Sequence, residues 1–219
     1  SKQGSSFAWV GREIATAQNQ DPKIDFTRDA ARIARADVNS DGLVDLVCSS
    51  ATELQTFFAL GRLPGGDTQF GNGQWTSPTA ATLSTEPVRT CLPWSAQPIR
   101  FDDAEVRMAE MNGDGLPDIV RLRNGQVLYW PGRGNGFWGT GERDDCKGGS
   151  FAQDRHLVLH NAPRFGTVLN GGLELGDVNG DGLADVVEFR LDAVDVYFND
   201  NGERFTDRVT LTDVPVKPN

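Results

Sequence analysis

Residues 177–182 read DVNGDG, and the same loop returns with small edits as DVNSDG at 37–42 and EMNGDG at 110–115. Three explanations compete: a metal site in three copies, a solvated turn in three copies, or an EF-hand met by accident. Asp, Asn and Gly are good turn formers in their own right. Chance turns, however, need not carry acidic side chains at positions one, five and nine three times over. Position one falls at residues 37, 110 and 177, so the loop marks a period of about 70 residues.

The repeat extends beyond the loop. Short alternating runs precede it (ARIARA, EVRMA, GGLEL), and apolar runs follow it (VDLVCS, PDIVRL, ADVVEF). Aromatics come next, at Phe57 and Phe58, Tyr129 and Trp130, Tyr197 and Phe198, and then the glycine-rich turns GNGQW, GNGFW and NGERF. Short runs bounded by turns predict strands, and the β-branched and aromatic content of QVLYW and VDVYF agrees. No stretch sustains a helical period, and FTRDAARIARADV suits at most one helical turn.

Such a unit matches one four-stranded blade of a β-propeller. The expected fold is all-β, a partial or open β-propeller of about three four-stranded blades with calcium loops, in a single repeat domain over 1–219. The repeats run at approximately 30–75, 99–138 and 165–210, with insertions at 76–98 and 139–154. FAWVGREI, near the N-terminus, has strand character that would complete a blade.

The loop chemistry points to a hard cation. In the third copy Asp177, Asn179, Asp181 and Asp185 offer side-chain oxygens, Leu183 a backbone carbonyl, and Gly182 the sharp turn. The first copy offers Asp37, Asn39, Asp41, the Leu43 carbonyl and Asp45. The second offers Glu110, Asn112, Asp114, the Leu116 carbonyl and Asp118, with Glu110 one methylene longer than its counterparts. The expectation is up to three structural Ca²⁺ ions. Glu188 at position twelve completes an EF-hand expression in the third copy, but Cys48 and Arg121 hold that position elsewhere. An EF-hand also needs flanking helices, and the flanks read as strands.

Charge and composition narrow the partners. The chain of 219 residues has a net charge of -10, which disfavours nucleic acid or an anionic membrane. No apolar run is long enough to span a bilayer, and SKQGSSFAWVG lacks the regions of a signal peptide. Cys48, Cys91 and Cys146 form neither a zinc pattern nor a dense disulfide framework. Cys91 with Cys146 is one available bridge, and Cys48 in VDLVCS reads as a buried thiol.

DVNGDGLADVV and EMNGDGLPDIV resemble the FG-GAP or VCBS-type repeats of integrin alpha-chain propellers and of many secreted proteins. The resemblance covers roughly residues 30–210 and implies calcium held between strands of a blade. MNGDGLPDIVRLRNGQVLYWPGRGNGFWG is similar to the propeller part of SpvB-like and TcB-like insecticidal toxin-complex subunits, where the propeller is an assembly element. Such propellers close with more blades than three, which implies a larger chain, an open array, or self-association to complete the ring.

Nothing in the sequence argues for an enzyme. His156 and His160 are the only histidines; two alone do not make a zinc site, and with Asp154 nearby as the available carboxylate the preferred reading is still of ordinary surface histidines on a strand. No GxSxG, HExxH or phosphate loop occurs. GRGNG at 132–136 reads as a turn, and Asp102, Asp103 and Glu105 form a carboxylate cluster with no defined cleft. The expected function is a calcium-stabilised, non-catalytic scaffold or protein-interaction module of a larger secreted or toxin-complex protein. The partner is then a protein or the remainder of a longer chain. The alternative is a lectin-like module binding glycan, for which Trp75, Trp94, Trp130 and Trp138 are the candidate contacts.

Overall fold

In a computed structural model of the chain, residues 24, 32–50, 52–62, 68–74, 83–92, 99–140, 156–164, 172–190 and 193–212 are described. Their named elements are all strands, arranged in three antiparallel sheets and one small hairpin. Sheet 1 contains β1 (Ile33–Ala36), β2 (Asp45–Ser49), β3 (Glu53–Arg62), β4 (Thr68–Gly71) and β5 (Val88–Cys91). Sheet 2 contains β6 (Val106–Ala109), β7 (Asp118–Arg123), β8 (Gln126–Trp130) and β9 (Leu157–Leu159). Sheet 3 contains β10 (Leu173–Gly176), β11 (Asp185–Phe189), β12 (Ala193–Tyr197) and β15 (Val209–Thr212). Between its last two strands lies the hairpin of β13 (Asn199–Asp200) and β14 (Arg204–Phe205).

Each sheet opens in the same way. A strand enters the acidic loop, and the next strand leaves it paired antiparallel with the first, so that Ala36 faces Asp45, Ala109 faces Asp118 and Gly176 faces Asp185. The second strand then pairs with the third; in sheet 2 the Asn-Gly pair at 124–125 makes the turn, with Gly125 at φ +75°. The fourth strand carries a surprise in sheet 1. Val88–Cys91, inside the segment expected to be an excursion, pairs with the first half of β3, while β4 pairs with its second half.

Alternation along the strands of sheet 2 explains the core, because successive side chains point to opposite faces. Ile119, Leu128 and Trp130 pack with Val47, Leu54 and Phe58 of sheet 1. Val120, Leu122, Val127 and Tyr129 pack with Leu173 and Val186 of sheet 3 and with Phe205 of the hairpin. The middle sheet is thus covered on both faces, which is why its strands are apolar at consecutive positions. A smaller cluster of Ile33, Leu46 and Phe57 lies on the opposite face of sheet 1, against Ile24, Cys48 and Phe70.

Polar latches join neighbouring sheets. The Thr56 hydroxyl on β3 donates to the Gly136 carbonyl (2.9 Å) and accepts the Trp138 indole N–H (2.9 Å), while the Trp138 amide donates to Thr90 Oγ1 (3.2 Å). The Tyr129 hydroxyl on β8 donates to the Gly202 carbonyl in the hairpin of sheet 3 (3.1 Å). Both latches hold the glycine-rich turn of one repeat against the third strand of the repeat before it. GRGNG therefore has a positioning role as a turn.

Gly132 shows how tightly that turn is held. A Cβ there would lie 2.3 Å from the Pro117 carbonyl oxygen, and the Gly132 amide donates to Asp118 Oδ1 at 2.8 Å. Gly132→Ala should therefore cost about 1–3 kcal/mol, as for overpacking a well-filled core. Urea denaturation followed by circular dichroism measures it, and an unchanged midpoint would show that the turn can yield.

Candidate metal centre

The three loops share one hydrogen-bonding plan. At position one, Asp37 accepts the amides of Asp41 (3.1 Å) and Gly42 (2.8 Å), and Asp177 accepts those of Gly180 (2.7 Å) and Gly182 (2.9 Å). Glu110 accepts the amides of Asn112 (2.9 Å), Gly113 (2.7 Å) and Gly115, so its extra methylene is absorbed without losing the role. At position three, Asn39, Asn112 and Asn179 each accept the position-five amide and donate Nδ2–H to the position-five carboxylate. At position five, Asp41, Asp114 and Asp181 accept the amides of Leu43, Leu116 and Leu183 at 2.8, 2.9 and 2.8 Å.

Position nine does something the sequence did not reveal. Asp45, Asp118 and Asp185 are fully buried. One oxygen of each accepts the amide at position two: Val38 (3.0 Å), Met111 (2.9 Å) and Val178 (3.0 Å). The other accepts an amide within or just past the third strand: Ala59 (2.7 Å), Gly132 (2.8 Å) and Asn199 (2.9 Å). This acid ties the start of its loop to the third strand or the segment that follows it. The partner lies fourteen residues downstream in every copy, a constant spacing that is the only trace of it in the sequence.

The loops also touch one another. Ser40 Oγ donates to the Gly115 carbonyl (3.2 Å), the Ala184 amide donates to the Glu110 carbonyl (2.7 Å), and Asn199 Nδ2 donates to the Met111 carbonyl (2.9 Å). Between the second and third loops lies an open cleft of about 300 Å³ lined by Glu110, Gly113, Gly115, Leu116, Pro117, Asp181 and Gly182.

The donor chemistry fits a hard cation, since the loops offer carboxylate and amide oxygens at adjacent positions. Charge adds a reason. Burial pushes the carboxyls of Asp45, Asp118 and Asp185 above the ordinary range despite their amide donors, and the acids at positions five and one push further the same way. Asp118 is pushed up to about 7. Yet no group of three or more His, Cys, Asp or Glu side chains among the described residues forms a ready-made cage. The loop oxygens are instead turned toward the amides of their own turn, each carboxylate oxygen keeping further acceptor capacity.

The remaining candidates sort themselves. Glu188 sits within β11, opposite Leu173 and Asp195, so strands flank the third loop where an EF-hand would need helices. Asp102 pairs with Arg100, Glu105 pairs with Arg123, and Asp103 accepts the Glu105 amide. His156 stacks edge-on to Trp130 with ring centroids 5.5 Å apart, and Arg121 lies over the same ring. The His160 backbone exchanges hydrogen bonds with Glu203 and Phe205 of the hairpin. Trp130 and Trp138 are buried in the core and offer no face to a sugar, whereas Trp75, Trp94, Asp154 and FAWVGREI lie outside the described residues. Cys91 is disulfide-bonded, Cys146 lies outside the described residues, and Cys48 keeps its thiol. Among the described residues no helix is long and apolar enough to cross a membrane.

Fold and loops together define a class: an all-β protein of stacked antiparallel sheets, each built around an acidic loop pinned by a buried aspartate. No protein-family model and no curated protein matches the chain. Among solved structures, the fold is similar to part of the Photorhabdus luminescens Tc holotoxin pore, with a TM-score of 0.54 and 20% identity. The match covers 84% of this chain and 7% of that one, so this chain corresponds to a small part of the toxin chain. Looser matches include TcdB2-TccC3 (TM-score 0.42, 18% identity, 90% of this chain and 10% of that one). An Agrocybe aegerita lectin recognising non-reducing terminal N-acetylglucosamine also matches (TM-score 0.41, 15% identity, 82% and 38%). At these values the first match establishes a shared fold, and the other two carry no argument.

Proposed function

We propose that the chain is a calcium-stabilised, non-catalytic scaffold, an open array of three propeller blades that serves protein assembly within a larger secreted or toxin-complex protein. The observation that supports this most directly is the thrice-repeated loop, where three acids per copy crowd round one turn and one of them is buried. Up to three Ca²⁺ ions, held by the side chains of positions one, three, five and nine and the carbonyl of position seven, would offset that charge. Their role is to hold the strand-to-strand connection of each blade. The fold similarity to a part of a Tc holotoxin fits an assembly role, and the burial of Trp130 and Trp138 removes two of the four candidate contacts of the lectin alternative.

Chelator should lower the melting temperature, and added calcium should restore it, because a ligand bound only by the folded state stabilises that state. Calorimetric titration should count up to three ions, and Asp181→Ala should remove one of them while leaving the other loops intact. Melting that is indifferent to verified metal removal would sink the calcium reading and leave the loops as turns closed by their own amides.

A further inference from the structure

The seam between the second and third loops is built differently from the seam between the first and second. The Ala184 amide donates to the Glu110 carbonyl (2.7 Å), and Asn199 Nδ2 donates to the Met111 carbonyl (2.9 Å). Ala184 stands between Leu183 and Asp185 of the third loop, while Glu110 and Met111 open the second. Asn199 is 3% exposed, and its side chain uses both its donor and its acceptor. Nδ2 also reaches the Ala184 carbonyl (3.3 Å), Oδ1 accepts the Gly202 amide (2.9 Å), and the Asn199 backbone amide holds Asp185 Oδ1 (2.9 Å). The Met111 amide in turn donates to Asp118 Oδ2 (2.9 Å). One run of contacts therefore joins the two buried acids, from Asp185 through Asn199 and Met111 to Asp118.

Residue identity explains why the other seam has no such run. In the place of Ala184 the second loop carries Pro117, which has no N–H to donate. In the place of Asn199, fourteen residues past the buried acid, it carries Gly132, which has no side chain to reach back. What links the first loop to the second is the exposed Ser40 hydroxyl on the Gly115 carbonyl, at 3.2 Å.

We infer that the second and third loops form one coupled calcium-binding unit, with Asn199 as the positioning residue between them, and that the first loop acts alone. The inference rests on the calcium reading. Fixing Leu183, Ala184 and Asp185 fixes the donors that hold Glu110 and Met111. Fixing Glu110 and Met111 likewise fixes the acceptors of Ala184 and Asn199. Whichever loop is ordered first leaves the other less conformational freedom to lose, so the second binding event is tighter than the first. Linkage makes the effect equal in both directions. Two loops that fill together stiffen the seam between sheets 2 and 3 over a narrower range of calcium than independent loops would.

Calorimetric titration with calcium chloride tests it, on full chains carrying Asp41→Ala so that the second and third loops remain. Adding Asp181→Ala leaves the second loop alone, and adding Asp114→Ala instead leaves the third alone. The product of the binding constants in the two-loop chain should exceed the product of the two single-loop constants about tenfold. The same comparison for the first and second loops, in chains carrying Asp181→Ala, should give a ratio near one. Asn199→Ala should bring the tenfold ratio down towards one. Because Asn199 is buried, Ala184→Pro serves as the second variant: it copies the proline of the second loop, removes the other link, and should lower the same ratio. A loss of structure alone would weaken the single-loop constants and leave the ratio standing. A ratio near one in the unsubstituted two-loop chain overturns the inference and leaves the calcium reading in place, whereas no bound calcium in any chain overturns both. A tenfold ratio that neither substitution lowers also overturns the inference, since the coupling would then run elsewhere.

Discussion

Trp138→Ala should lower the unfolding free energy by about 3–5 kcal/mol, the range for truncating a large aromatic in a packed core. The side chain is 1% exposed and belongs to the cluster between sheets 1 and 2 with Val38, Val47 and Trp130. It does more than fill space. Its indole N–H reaches Thr56 Oγ1 and its amide reaches Thr90 Oγ1, so one residue of the second repeat grips two strands of the first. Trp138→Phe separates these contributions. The ring volume is largely kept while the indole donor goes, and a hydrogen bond of this kind contributes about 0.5–1.5 kcal/mol net. Urea denaturation of both variants gives the numbers. If alanine costs no more than phenylalanine, packing at this seam is not what holds the two sheets together.

Much of this arrangement is legible in the sequence, and the reason is local. Strands such as QVLYW and ADVVEF announce themselves through short apolar runs between turns, and the six-residue loop fixes the point at which each pair begins. The glycine at position six works as expected, with φ of +86°, +80° and +90° in the three copies. What escaped depends on distance along the chain. VRTC at 88–91 lies among prolines and carries no alternation of its own, so only its register with Glu53–Thr56 makes it a strand. The Thr56 to Trp138 contact joins residues separated by a whole repeat. Period-two alternation shows that both faces of β7 and β8 are apolar, but which neighbour covers each face is a tertiary fact. The loops were the subtler case. Asp45, Asp118 and Asp185 read as ligands by residue type, yet type alone cannot reveal that both oxygens already serve backbone amides across a sheet.

Asp118→Ala is therefore expected to be among the most damaging substitutions, and its effect should persist in chelator. Removing the carboxylate strips the Met111 and Gly132 amides of their acceptor in a fully buried position. An unsatisfied buried group costs about 1–3 kcal/mol, so two give a loss of about 2–4 kcal/mol with some relaxation. Asp118→Asn should fall between, because the amide oxygen can accept one N–H but its NH₂ meets the other as donor against donor. The pH dependence supplies the second half of the test. The carboxyl sits near pH 7 in the folded protein, raised by burial, and near 3.9 when unfolded. Between those values the folded state binds more protons, so in chelator the urea midpoint should fall as pH rises from 5 to 8. Alanine should flatten that slope. Calcium should reverse it, because ion and proton compete for the same oxygens and the ion wins as pH rises. A slope that calcium leaves unchanged would mean that the buried acid serves the backbone alone, and that the thrice-copied loop is a device for joining strands.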